Sequence, residues 1–467
     1  MDSVTQAISF LNDHYLGYVL MGTLVLVGIY FTIATRFVQF FSPRSILSLL
    51  THGSSKKGHI SPFQAFAIST ASRVGTGNIA GVALAITLGG PGAIFWMWLI
   101  AVIGAASSFI ESTLAQVYKV PTAGHFRGGP AYYMQYALGM RKLAVAFSII
   151  ITLTFAFTFN SVQANTIAQS LQNTFQLPLA ATGAGLTLIS ALIIFGGLRR
   201  IARFSAIIVP AFALGYILLT LTVMVLNLPQ LPRVFALIFT DAFSWHNVTG
   251  GTLGATVMMG ARRGLFSNEA GMGSAPNAAA TANTSHPAKQ GYVQAFGVFV
   301  DTIIICSCTA FIVLLSDYQS TPAQGISLTQ FALTSELGAL GNYFLTASVF
   351  LFAFTSIIGN YYYGQANVEF LTTNRKSMFA LRAGVCAMIF LGAVAQLGLV
   401  WNLADLFMTV MALMNLYAIF RLRNQALAVL ADYRKQKAAG KDPHFYPDDV
   451  PAVGKTFAWH LRQPETK

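Results

Sequence analysis

The run Ser69-Thr-Ala-Ser-Arg-Val-Gly-Thr-Gly-Asn-Ile-Ala-Gly81 sets glycines, an arginine and several hydroxyl and amide side chains inside a segment otherwise apolar enough to cross a bilayer. A continuous helix satisfies its own backbone there. Unwinding at mid-depth strands N–H and C=O groups at several kcal/mol each unless protein, ion or ligand meets them. The interruption is therefore expected to mark a binding site.

The rest of the chain agrees with a membrane setting. Of its 467 residues 55% are hydrophobic and 9% charged, against about 25% charged in soluble domains. Segments of the roughly 20 apolar residues needed to span a hydrocarbon core recur eleven times, over about 16–35, 63–88, 92–118, 143–170, 178–196, 205–227, 250–282, 290–315, 341–366, 378–397 and 402–420. The expectation is an all-α polytopic membrane protein with 11 transmembrane helices. Met1 to His14 carries Asp2 and Asp13 and no basic residue, so residues 1–15 read as an extracytoplasmic end and 16–35 as a retained anchor, not a cleaved signal. Phe37 to Leu50, within the segment 36–62, mixes apolar residues with basic ones as an interfacial helix does. Ser327 to Leu337 reads as a short outer helix or a plain loop.

Net charge is +13, but its distribution argues against a nucleic-acid partner. With the N-terminus outside, the loops on the opposite face and the tail 421–467 hold 24 of the 28 lysines and arginines. They include Arg36, Arg44, Lys56 and Lys57 in the first such loop and Arg199, Arg200 and Arg203 in the third. Of the remaining four, Arg233 lies in an outer loop, and Arg73, Arg262 and Arg263 lie in or beside interrupted segments. This follows the positive-inside rule, with both the loops and the C-terminal tail cytoplasmic.

A second interruption, Gly260-Ala-Arg-Arg-Gly-Leu-Phe-Ser-Asn-Glu-Ala-Gly-Met-Gly-Ser274, falls in the seventh segment, five after the first. The two broken segments then run in opposite directions. Interrupted helices at matching places in two oppositely oriented halves are the sequence mark of an inverted-repeat secondary transporter. Residues 63–227 and 250–420 would be the halves.

Several residues carry candidate chemistry. Gly75 and Gly77 permit backbone geometry that other residues resist, and half-helix ends at the break offer N–H groups to an anion and carbonyls to a cation. Thr76-Gly77-Asn78 supplies donors, a hydroxyl and an amide. Intramembrane acids are costly and usually paired or functional. Glu269 is expected to pair with Arg73, Arg262 or Arg263 as a gate or scaffold, or else to contact an ion or substrate. Glu111 and Asp301 read first as buried hydrogen-bonding partners, and Asp405 gives a weaker signal. Gln163 lies on a polar stripe with Asn160 and Ser170, either binding substrate or joining helices. Thr355 and Ser356 offer two hydroxyls for a sodium ion or for bonds back to their own helix. Cys306, Cys308 and Cys386 sit inside apolar segments and read as packing residues.

Enzyme chemistry is poorly represented. The histidines fall in loops or at segment edges, and neither a GxSxG elbow nor an HExxH pair is present. The glycine-rich runs lack the GK[ST] ending of a nucleotide-binding loop. Transport would therefore draw on an ion gradient, unless the chain is a passive channel or a transporter-like sensor that binds without pumping.

Four blocks carry a family resemblance: Gly89-Gly-Pro-Gly-Ala-Ile-Phe-Trp-Met-Trp-Leu-Ile-Ala-Val-Ile-Gly104, Arg73 to Val82, Gly128-Gly-Pro-Ala-Tyr-Tyr-Met134 and Gly264 to Ser274. Together they resemble the sodium:alanine symporters, the alanine or glycine:cation symporter family of the amino acid–polyamine–cation superfamily. The resemblance implies a LeuT-type 5+5 inverted repeat with one extra N-terminal helix in a bacterial inner membrane, and Na⁺-coupled uptake of small neutral amino acids, with H⁺ coupling as the alternative. It implies substrate contacts at Thr76, Gly77, Asn78, Gln163, Phe266, Ser267 and Asn268, and sodium held by carbonyls of Ala71 and Val74 with hydroxyls of Thr355 and Ser356. Many relatives carry Trp where Asn360 stands here, so the wall limiting substrate size is expected to differ.

Overall fold

The computed structural model describes residues 2–41, 43–51, 60–122, 125–195, 198–244 and 252–460. Lys56, Lys57, Arg462 and Lys467 of the charge map, His52, His59 and His246, and the first two residues of the expected span 250–282 lie outside them.

Among the described residues the molecule is built almost wholly of helices, with one short antiparallel strand pair, Val120–Thr122 against His125–Arg127. Among the described residues seven helices are long and apolar enough to cross a membrane: Thr5–Ala34, Ala93–Val117, Arg141–Phe175, Pro287–Leu315, Ile326–Leu371, Arg375–Val394 and Leu397–Arg421. Pro210–Leu226 and Leu228–Ala242, bent by 82° at their junction, count together as an eighth. The other three expected spans fall short of a continuous crossing. Leu179–Ile194 has 16 residues, and the two glycine-rich segments are each divided.

The first of these begins at a capping box. Ser61 accepts from the Gln64 amide, and the Gln64 side chain accepts from the Ser61 amide. Helix Pro62–Arg73 then stops, and Val74 leaves helical geometry with φ −76° and ψ 89°. A wide turn, Gly77–Gly81, leads into Val82–Gly89. In the second, Thr252–Asn268 ends where Glu269 takes a left-handed φ of 57°, Gly271 and Gly273 follow at 80° and 89°, and a short helix Ala275–Ala279 resumes. Both expected interruptions are thus real breaks.

The two broken segments pack at the centre. Thr252–Asn268 lies on Ala93–Val117, as does Pro287–Val298. Asn160–Phe175 packs on both Ile326–Leu371 and Arg375–Val394. A parallel bridge from Ile60 to Ala282, in which Asn283 donates to the Ile60 carbonyl at 3.0 Å, ties the start of the first broken segment to the end of the second.

Ile326–Leu371 contains a non-helical residue, Gly338 (φ 65°). A helical stretch therefore covers Ser327 to Leu337 before the long span begins, and Pro43–Thr51 is helical within the stretch read as interfacial. Residues 421–460 pack against the body. Helix Arg423–Ala438 follows the last span, the Tyr118 hydroxyl donates to the Val453 carbonyl, and Trp459 Nε1 donates to the Gln116 carbonyl. Lys119 sits between the rings of Phe126 and Trp459, 4.1 and 4.7 Å from their centroids, and burial pushes its ammonium down to about 7.

Candidate functional site

The first break meets the long span 339–371 through Ser356. Its hydroxyl lies 2.8 Å from the Ala71 carbonyl and 3.3 Å from that of Val74. These carbonyls are turned out because the helix ends at Arg73, so two backbone oxygens and one hydroxyl oxygen converge at one point. The Ser356 hydroxyl also lies 3.0 Å from the Phe352 carbonyl of its own helix, and Thr355 shares that acceptor. Its hydroxyl bonds back to the Phe352 carbonyl at 2.8 Å, the bond expected of a threonine inside a helix.

Gln163 closes the other side, where its Oε1 accepts from the Thr76 amide at 3.0 Å. The glycines act here through size. Neither Gly75 nor Gly77 has a positive φ, which corrects the expectation of unusual backbone geometry at them. Instead, a Cβ at Gly75 would meet the Ser356 hydroxyl at 2.3 Å and Gln163 Oε1 at 2.9 Å, and one at Gly77 would meet the Phe266 ring at 2.9 Å. Close approach of three elements requires the missing side chains. The Thr76 hydroxyl is buried beside this point without a partner.

Asp301 binds the two breaks to each other. Its carboxylate accepts from Asn78 Nδ2 at 2.6 Å, from the Ser267 hydroxyl at 2.7 Å and from Thr302 at 3.1 Å. Asn78 in turn accepts from the Gly75 amide at 2.9 Å, so its amide is fully engaged in holding the first break. Cys306 lies against the same group, within 3.4 Å of Asn78 Nδ2 and 3.1 Å of the Ser267 hydroxyl. Asn268 points elsewhere, donating to Thr302 at 3.1 Å and accepting from the Ala270 amide at 3.0 Å.

Glu269 and Glu111 support the second break from two directions. Glu269 accepts from the Ser72 hydroxyl at 2.7 Å and from Ser274. Asn360 lies 2.7 Å from the same Ser72 oxygen. One hydroxyl proton cannot serve both; with Ser72 donating to Glu269, the Asn360 amide is the donor to Ser72. Glu111 accepts from the Gly271 and Gly273 amides at 3.1 and 3.0 Å and from Asn415 Nδ2 at 2.7 Å.

The expected pairing of Glu269 with an arginine is not what forms. Arg262 pairs with Asp13 at 2.6 Å, and Arg263 pairs with both oxygens of Asp405. Arg73 is buried, donating to the Gln294 carbonyl at 3.2 Å and to Ser108 at 3.4 Å, with no carboxylate within ion-pair distance among the described residues. The reason is geometric, since Glu269 turns through its left-handed residue toward Ser72 while Arg262 and Arg263 reach carboxylates of other elements, Asp13 and Asp405.

Arg263 and Asp405 belong to a layer above the breaks. Trp401 packs against Phe266, their centroids 4.7 Å apart and their planes tilted by 44°, and Phe266 against Phe159 at 4.4 Å. The Arg263 guanidinium lies 4.6 Å from the Trp401 ring. Over this layer opens a cavity of about 610 Å³, lined by Tyr18, Leu88, Met258, Gln324 and Leu397 among others. Beneath it Thr76, Asn78 and Ser267 are fully buried. The layer separates the breaks from the cavity.

Sequence reasoning gave Asp405 little weight and did not single out Ser72, Trp401 or Asn415; a buried ion pair at this layer has a measurable signature. Breaking such a pair from one side costs about 3–5 kcal/mol because it leaves an uncompensated buried charge. Arg263→Ala should therefore lower the thermal midpoint in detergent more than Arg263→Ala/Asp405→Ala does. Equal losses would mean the pair carries no buried charge balance.

The sequence matches the sodium:alanine symporter family over residues 1–447. It is 52% identical over 458 residues to a probable sodium/glutamine symporter, GlnT, of Bacillus subtilis, covering 97% of this chain and 96% of that protein. It is 48% identical to the amino-acid carrier protein AlsT of the same organism, over 97% and 96%. Among solved structures its fold is similar to that of a mutant manganese transporter from Eremococcus coleocola, with a TM-score of 0.51, 14% identity and 84% of each chain covered.

Proposed function

Because the chain belongs to the sodium:alanine symporter family, whose members are transporters and not enzymes, we propose that it couples Na⁺ entry to the uptake of a small neutral amino acid by alternating access. The observation that carries this reading is the convergence of Ser356 Oγ with the Ala71 and Val74 carbonyls across a helix break. Oxygen-only ligand sets suit hard cations. Sodium there ties the long span 339–371 to the first broken segment. Thr355 joins the site by turning its hydroxyl away from Phe352.

The substrate carboxylate is received by the amides of Thr76 to Asn78, where Gln163 now accepts from Thr76, so the glutamine exchanges its backbone partner for substrate. Phe266 and Ser267 face it from the second break, and Asn268 would join them by turning from Thr302. Phe266 and Trp401 form the apolar wall, and Arg263 with Asp405 forms the outer closure. Asn360, bonded at Ser72, is a smaller side chain than the tryptophan that the family resemblance implies there. A neutral side chain as large as glutamine is then as acceptable as alanine or glycine. Residues 63–227 and 250–420 are the two inverted halves of an eleven-span, LeuT-type bundle in a bacterial inner membrane, N-terminus outside and C-terminus in the cytoplasm. The two breaks and the one-sided distribution of lysine and arginine support this arrangement.

A proton-coupled version is favoured by one observation. Asp301 and Glu269 are buried and held by hydroxyl and amide donors, with no ion pair among the described residues. Uptake of labelled alanine into proteoliposomes at fixed pH separates the two. An imposed Na⁺ gradient should drive accumulation, with unlabelled alanine, glycine and glutamine each competing; accumulation driven equally by a proton gradient in K⁺ would overturn sodium coupling.

A further inference from the structure

Where the first span ends, the chain turns through two consecutive non-glycine residues in the left-handed region, Arg36 (φ 51°) and Phe37 (φ 56°). Such residues are uncommon, more so in succession. The turn leaves the Arg36 side chain exposed on the rim of a pocket of about 250 Å³ between this corner and the tail helix Arg423–Ala438. Arg434 and Lys437 line it from the tail, with Tyr292 and Tyr433 on its walls. Arg434 is anchored by donating to the Thr35 carbonyl at 2.6 Å. None of the three cations has a carboxylate partner among the described residues. The sequence supplies none locally, since no Asp or Glu occurs between Asp13 and Glu111. Asp432, the acid nearest in the tail, is occupied by His286 and Gln436.

Three cations around a small cavity suit a phosphate group. The surroundings say which kind. Phe37 and Phe40 are 54% and 66% exposed beside the pocket, at the level where the apolar helix Thr5–Ala34 has just ended. Exposed rings next to a basic pocket at the end of a membrane span match a headgroup above and acyl chains below. We propose that this pocket binds an anionic phospholipid, its phosphate held by Arg36, Arg434 and Lys437 and its chains lying along Phe37 and Phe40. The lipid would then join the first span to the tail helix at the membrane boundary.

The test is lipid retention by the purified full-length protein, read by native mass spectrometry with phosphatidylglycerol, phosphatidylcholine and soluble glycerol 3-phosphate as probes. Arg36→Gln/Lys437→Gln removes two exposed charges without touching the Arg434–Thr35 bond. With each basic residue near the surface contributing about fivefold in affinity, the double variant should retain at least about tenfold less phosphatidylglycerol. Wild type should prefer phosphatidylglycerol over phosphatidylcholine, and Arg375→Gln/Lys376→Gln, at a distant basic loop, should bind as wild type does. Undiminished binding by the first variant, or equal loss in the second, would overturn the site. Displacement of the lipid by glycerol 3-phosphate at similar concentration would make it a site for soluble phosphate and overturn the lipid assignment.

Discussion

Glu111→Ala should yield almost no folded protein. The Glu111 carboxylate is fully buried and accepts the amides of Gly271 and Gly273 and the side chain of Asn415. Both glycines hold left-handed φ angles, so these amides point away from any helical partner. Charge-assisted hydrogen bonds contribute about 1.5–3 kcal/mol each, and a buried donor left without an acceptor costs about 1–3 kcal/mol. Removing one acceptor for three donors should therefore cost on the order of 5 kcal/mol, comparable to the whole stability of many proteins. Size-exclusion profiles of the detergent extract should show aggregate in place of a single peak. Glu111→Gln, which keeps one acceptor oxygen, should recover a reduced folded fraction. A monodisperse alanine variant with an unchanged thermal midpoint would show that the second break is held by something else.

Asp301→Asn should leave the protein folded and stop transport. Asp301 receives donors from both breaks, Asn78 from the first and Ser267 from the second. An amide preserves the volume and one acceptor, and the Ser267 hydroxyl rotates to accept from the new NH₂. Asn78 has no such freedom, because its oxygen is committed to the Gly75 amide. The register between the breaks is then held by neutral bonds, roughly half as strong as those to a carboxylate. A loss of about 2.7 kcal/mol in the transport-competent arrangement is about a hundredfold in rate. Initial uptake per folded molecule should fall by that factor while the thermal midpoint moves little. Uptake within about threefold of wild type would remove Asp301 from the coupling between the breaks.

Much of this centre is visible in the sequence because membrane helices seldom tolerate what it contains. Glycines, hydroxyls, amides and acids inside apolar segments located both breaks, Glu111, Asp301 and Gln163. Their partners were not visible, since the pairs lie far apart along the chain: Asn415 is 304 residues from Glu111, Asp301 is 223 from Asn78, and Asp405 is 142 from Arg263. Proximity in sequence suggested Arg262 or Arg263 for Glu269, and the left-handed turn at Glu269 sends it to Ser72 instead. Residues such as Trp401 gave no signal because an aromatic in an apolar segment is ordinary; only its position over Phe266 and Arg263 gives it a role. Span counting met a similar limit, because a broken helix and a 16-residue helix look like full spans in composition but not in geometry.

The most direct test of sodium at the first break is the dependence of substrate affinity on sodium, measured by calorimetry with alanine or glutamine in Na⁺ and in equimolar K⁺, for wild type and Ser356→Ala. If sodium bridges Ser356 and the Ala71 and Val74 carbonyls, linkage requires that it strengthen substrate binding to the wild type. A coupling of about 1.4 kcal/mol gives a tenfold lower Kd in Na⁺, and Ser356→Ala should bring the two affinities together at the weaker value. A wild-type Kd equal in the two salts, or a Ser356→Ala protein as sodium-sensitive as the wild type, would contradict it.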